Sequence, residues 1–129
     1  MNFMAIKAYQ TADNDLLVEG SDQFGLVKLL YQKLLTYIYQ AIDCIEVKDL
    51  AGRSEAITQA LTIIHVLNST LDYNKGGDVA VSLSQVYGWS RKALIESNRQ
   101  KDTESLKEVA KMIEDIANAW ETIGRSVAA

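Results

Sequence analysis

The side chains able to do chemistry are few and scattered. His65 is the only histidine and Cys44 the only cysteine of 129 residues. A His-based metal cluster is therefore out of reach, and so is an intrachain disulfide, which suits a reducing compartment. His65 falls on the outer face of a helix, where an imidazole is ordinarily solvated. Cys44 stands beside Asp43, whose negative charge raises a thiol pKa and so works against a thiolate nucleophile; partly buried filler is the plainer reading. The carboxylate pairs Asp43/Glu46 and Glu114/Asp115 read as solvated helix faces. No Glu-x-x-His pair occurs, which removes the usual di-iron arrangement of helical bundles. Gly76-Gly77 has no following Gly-Lys-Ser/Thr, so it is not a phosphate loop. Serines, threonines and tyrosines are plentiful, but none has a base partner visible in sequence. The residues predict no enzyme, no metal and no cofactor, and point to recognition of another protein.

Composition narrows the class further. Apolar residues make up 48% and charged residues 23%, enough for one continuous core. The formal charge of −4 argues against nucleic acid, which is held by clustered Lys and Arg. The basic group Arg91, Lys92, Arg99 and Lys101 lies near a helix end, where positive charge complements the macrodipole. No stretch is long and apolar enough to span a membrane, and no secretory leader is visible, so a cytoplasmic location is expected.

Four elements must carry these residues. The chain lacks proline altogether, so nothing forces a kink or removes a backbone donor. The first helix is predicted over 22–46, with the seam Val27, Tyr31, Leu34, Ile38, Ala41 and Ile45. The second is predicted over 50–71, capped by Asp49, with Ile57, Ala60, Ile64, Leu67 and Leu71. The Asn74-Lys75-Gly76-Gly77 stretch breaks the chain, and a third helix capped by Asp78 follows with Ala80, Leu83, Tyr87, Ser90, Leu94 and Ser97. The fourth starts after the cap Asp102, carries Leu106, Val109, Ile113, Ile116, Trp120 and Ile123, and is expected to stop at Gly124. These spacings keep one apolar stripe in register along each helix. Short loops force antiparallel neighbours, so the fold class is all-α: an antiparallel up-down-up-down four-helix bundle over 22–129. Residues 1–21, with Met4, Ile6 and Tyr9 before an acidic stretch, read as a short mobile N-terminal arm that docks weakly.

Not every apolar residue is needed for the core. Leu26, Leu29, Val66, Val81, Trp89 and Ile95 fall off the seams of the first three helices, whereas the outer positions of the fourth are polar. Either the heptad registers slip or the buried faces are wide, or the surplus forms an exposed surface for a partner helix that the arm shields when the site is empty. Six such side chains at about 1.5–3 kcal/mol each suffice for tight binding before the entropic costs of association. Gly88, a glycine inside an exposed helix next to Trp89, leaves backbone open to close approach or has no role.

Four segments, in order along nearly the whole chain, resemble the flagellar secretion chaperone FliS family. Leu26-Val27-Lys28-Leu29-Leu30-Tyr31 is similar to that family's first-helix motif. Leu67-Asn68-Ser69-Thr70-Leu71-Asp72 with Gly76-Gly77-Asp78 resembles the end of its second helix and the turn. Leu83-Ser84-Gln85-Val86-Tyr87-Gly88-Trp89 resembles its third helix, and Asp102 through Leu106-Lys107-Glu108-Val109 to Ala119-Trp120 its last. Ala8-Tyr9-Gln10 matches an N-terminal tyrosine of the family. The chain departs from the pattern before the first helix, where Glu19-Gly20-Ser21-Asp22-Gln23 stands in place of an Ala-[Ser/Thr]-Pro, and after Tyr31, where Gln32, Lys33 and Leu34 replace an acid and small residues.

The resemblance implies a cytoplasmic chaperone that binds the disordered C-terminal segment of flagellin, blocks premature polymerisation and helps deliver the subunit to the flagellar export apparatus. It implies an N-terminal segment that covers part of the groove and moves on binding. The partner-binding residues expected from both lines of argument are Ile6, Tyr9, Leu26, Leu29, Tyr31, Val66, Val81, Trp89 and Ile95, on a monomer or weak homodimer. The alternative is a self-assembling bundle, or an adaptor for another export client, that buries the same residues.

Overall fold

The computed structural model describes the backbone of residues 23–128 and the side chains of residues 24–122. Four α-helices fill that range: α1 Gln23–Glu46, α2 Leu50–Ser69, α3 Tyr73–Gln100 and α4 Thr103–Ala128. α1 packs on α2 and α4, and α3 closes the ring between α2 and α4. Tyr39 of α1 donates to Glu114 of α4, and Trp120 lies against Phe24, so α4 descends as α1 rises. Arg53 at the start of α2 meets Asn98 at the end of α3 at 2.9 Å, so that pair is antiparallel too. The chain is the expected antiparallel four-helix bundle; the N-terminal arm, with Ile6 and Tyr9, lies outside the described residues.

Short polar side chains set the boundaries. The Asp49 carboxylate accepts from the Gly52 N–H at 2.9 Å and caps α2, satisfying a donor that has no intrahelical partner. A Cβ on residue 52 would lie 2.8 Å from Cys44 Sγ and closer still to the Asp49 carboxylate. Glycine thus lets the cap and the end of α1 meet. Asp102 caps α4, accepting from the Glu104 N–H at 2.9 Å and the Ser105 hydroxyl at 2.8 Å.

Two boundaries differ from expectation. α2 ends at Ser69, where the Thr70 N–H reaches back to the Val66 and Leu67 carbonyls. α3 starts at Tyr73 instead of Asp78, because Asp72 accepts from the N–H groups of Asn74 and Lys75, each at 3.0 Å, and caps one early turn. Gly77 then breaks helical geometry at φ 50°, ψ −124°, a conformation that only glycine adopts cheaply. The glycine pair is therefore a joint inside α3, and not a loop before it. α4 runs through Gly124 to Ala128: a single glycine weakens a helix by about 1 kcal/mol but does not end it.

The predicted seams are the core. Tyr31, Leu34, Ile38, Ile57, Leu67, Leu94, Leu106, Val109 and Ile113 are all fully buried. Leu71, Leu83, Ile116 and Trp120 are only partly buried against it. Ile123 lies outside the described side chains.

Candidate functional site

The partly buried seam residues Leu71, Leu83 and Trp120 gather at one end of the bundle. There the start of α1, the end of α2, the first half of α3 and the last turns of α4 surround an open cleft of about 430 Å³. Its walls include Val27 and Tyr31, Leu67 and Leu71, Val79 and Leu83, Tyr87 and Trp120. Asp72 and Lys75 stand at its α2–α3 rim. The cap at Asp72 holds Lys75 in the early turn, and the Gly77 joint sets the angle at which Val79 and Leu83 leave it.

An aromatic cluster forms the floor. The Trp120 ring stacks on Phe24 with centroids 4.8 Å apart and planes 8° from parallel, and meets Tyr31 edge-on at 6.4 Å. The indole N–H donates to the Phe24 carbonyl at 3.1 Å. The Tyr31 and Tyr87 hydroxyls lie 2.7 Å apart across the bundle. Burial pushes the pKa of both phenols up, for Tyr87 with a further contribution from Tyr31 itself. They are neutral hydroxyls that satisfy each other.

The six off-seam residues divide by helix. Leu26 and Val66 are buried and Leu29 packs partly against the core, so α1 and α2 bury wider faces than a strict seam. On α3 the surplus is exposed: Val81 at 46%, Trp89 at 40% and Ile95 at 43%. Val81, Gly88 and Ile95 stand seven residues apart, on one line along the helix. A Cβ at Gly88 would meet nothing within 4 Å, so bare backbone interrupts the line. Trp89 also faces α4 across a shallow trough with Met112, an apolar residue on a helix whose outer face was expected to be polar.

Of the described residues expected to bind a partner, Tyr31 alone lines the cleft. Val81, Trp89 and Ile95 share the outer face of α3. Val27, Leu71, Val79, Leu83, Tyr87 and Trp120 were missed as cleft residues. All but Val79 sit on or at the end of a seam and read as core. The available signal was position, because all but Tyr87, at the middle of α3, lie toward one end of their helices. Cys44 is half-buried, and partial desolvation followed by the charges of Asp49 and Asp43 pushes its pKa up. His65 is exposed. Among the described residues no group of three His, Cys, Asp or Glu side chains could hold a metal ion, and no helix is long and apolar enough to cross a membrane.

Known proteins share this chain's sequence over nearly its whole length. The family described as "Flagellar protein FliS" matches residues 5–127. The flagellar secretion chaperone FliS of Salmonella typhimurium is 29% identical over 119 residues, 92% of this chain and 88% of the relative. Flagellar secretion chaperone FliSB of Pseudomonas aeruginosa is 29% identical over 92% of this chain and 94% of its own length. The Bacillus subtilis flagellar secretion chaperone FliS is 31% identical over 91% of this chain and 86% of its own length. A family match over residues 5–127 and a relative 31% identical over nine-tenths of the chain show that this four-helix bundle belongs to the FliS family of flagellar secretion chaperones.

Proposed function

We propose that this chaperone binds the disordered C-terminal segment of flagellin in the cytoplasm, prevents its premature polymerisation and delivers it to the flagellar export apparatus. The observation that carries the reading is the open cleft over Tyr31, Tyr87 and Trp120. It is apolar, floored by rigid rings and too open to be filled by the core. Aromatic surfaces of this kind give large contact area to an amphipathic segment at low entropic cost. The exposed Val81, Trp89 and Ile95 extend the apolar surface along α3. A disordered client wraps such discontinuous surfaces readily, because it folds only on binding. Ile6 and Tyr9 of the arm compete for the cleft when it is empty. In this reading the protein is a monomer or weak homodimer, is not an enzyme, and uses no cofactor, nucleic acid or membrane.

The test is calorimetric titration of the cognate flagellin C-terminal peptide into wild type, a Leu83→Asp variant and a Trp89→Asp variant, with circular dichroism to verify folding. Tight binding with a negative heat-capacity change, lost in folded Leu83→Asp and weakened in Trp89→Asp, is expected. Absence of wild-type binding at several temperatures would sink the proposal. A concentration-independent dimer burying Trp89 would then favour the self-assembling bundle.

A further inference from the structure

The opposite end of the bundle carries an unrelated feature. Lys48 at φ 61° and Lys101 at φ 59° are the only non-glycine residues with positive φ among the described residues. Each closes a helix, Lys48 after α1 and Lys101 as the C-cap of α3. Positions in this left-handed region are ordinarily given to glycine or asparagine, because a Cβ crowds the neighbouring carbonyl. Attraction to the helix dipole accounts for a lysine near a C-terminus, but one placed a turn earlier would serve without the strain. Twice at one end of one molecule, lysine occupies the strained site itself. An observed backbone outlier of this kind points toward function.

Both lysines line one cavity of about 530 Å³ together with Arg53, Ile45 and Leu50. Arg53 is steered there by its Nε–H donating to the Asn98 carboxamide at 2.9 Å. None of the three cations is paired with a described carboxylate. The nearest acids in sequence are committed elsewhere: Asp49 accepts from the Gly52 N–H, and Asp102 accepts from the Glu104 N–H and the Ser105 hydroxyl. Beside the cations, Val47 and Leu50 are 74% and 55% exposed. Three cations without an ion-pair partner among the described carboxylates thus surround aliphatic surface at one end of a chain whose net charge is −4.

We infer that this end of the bundle docks an acidic, aliphatic peptide segment of a second protein, its carboxylates on Lys48, Lys101 and Arg53 and an aliphatic side chain on Ile45 and Leu50. Charge complementarity selects the carboxylates. The aliphatic floor disfavours a bare phosphate, and three cations on a chain of negative net charge are too few for nucleic acid. The site is remote from the aromatic cleft and stands whether or not the client there is flagellin.

The experiment is fluorescence anisotropy on the full chain with a labelled peptide of sequence Ser-Glu-Asp-Leu-Ile-Asp-Glu-Ser, its amide counterpart with Gln and Asn for the acids, and inorganic phosphate as competitor. Lys48→Gly and Lys101→Gly are informative together, because glycine removes the charge while relieving the backbone. The double variant should melt at the same temperature as wild type or higher, yet bind the peptide at least tenfold more weakly. The amide peptide should bind at least tenfold more weakly to wild type, and Leu83→Asp should leave binding unchanged. Absence of acidic-peptide binding, or equal binding by the double variant, would overturn the inference. So would full competition by millimolar phosphate, which would mark a simple anion site. A dimer in sedimentation that the double variant abolishes would overturn it in favour of a second copy as occupant.

Discussion

The Tyr31–Tyr87 pair ties the cleft to the core. Each hydroxyl is the other's partner at 2.7 Å, and both rings are at most 2% exposed. Deleting one hydroxyl leaves the other buried and unpaired, which costs about 1–3 kcal/mol. Tyr87→Phe is therefore expected to lower stability in urea by that amount, whereas the double variant Tyr31→Phe/Tyr87→Phe should recover much of it. Additive losses would contradict this account. A second prediction concerns the caps. Hydrogen bonds from Lys75 and Asn74 N–H groups hold Asp72 below the ordinary carboxylate value of 3.8 despite some desolvation, and those from Ser105 and Glu104 do the same for Asp102. A carboxylate with a lowered folded-state pKa contributes stability that is complete above its unfolded value and vanishes as the pH falls through the folded one. Melting temperature should thus fall below about pH 4, and Asp72→Asn/Asp102→Asn should flatten that acid limb, since an amide caps without titrating. An unchanged limb would assign the acid sensitivity to other carboxylates.

Among the helices, α3 is held least firmly. Its buried residues are Ala80, Tyr87, Ser90, Leu94 and Ser97, of which only two are large. α2 buries Ile57, Ile63, Ile64, Val66 and Leu67 in fewer residues. The Ser90 and Ser97 hydroxyls are buried without a hydrogen-bond partner, and the joint at Gly77 interrupts the backbone ladder. Local opening energies follow buried apolar contact, so α3 amides are expected to exchange with solvent before those of α2. Protection of α3 equal to α2 would refute this. Ser90→Ala removes an unsatisfied group at little cost in volume and should stabilise the fold by about 1 kcal/mol, measurable by urea denaturation. A loosely held α3 suits a helix that forms one wall of the cleft and bears the exposed Val81, Trp89 and Ile95.

For the whole molecule, the arm and the cleft make one further prediction. If residues 1–21 compete for the site, a chain lacking them should bind the flagellin peptide more tightly, by about three- to tenfold for a weakly docked arm, since the competition tax is lifted; unchanged affinity in calorimetry would remove the arm from the mechanism. The sequence by itself determined the four helices, their seams and the caps at Asp49 and Asp102, because periodic burial and local hydrogen bonds operate within a few residues of the chain. It did not determine the fate of surplus apolar residues. Leu26 and Val66 look the same as Val81 and Ile95 in a heptad, yet neighbouring helices cover the first pair and leave the second open. Nor could it separate Trp120 or Leu83 from the rest of their seams, since a seam stops being core only where the helices around it leave a gap. Which apolar faces are covered is a property of how all four helices pack, and that was decided only by the tertiary structure.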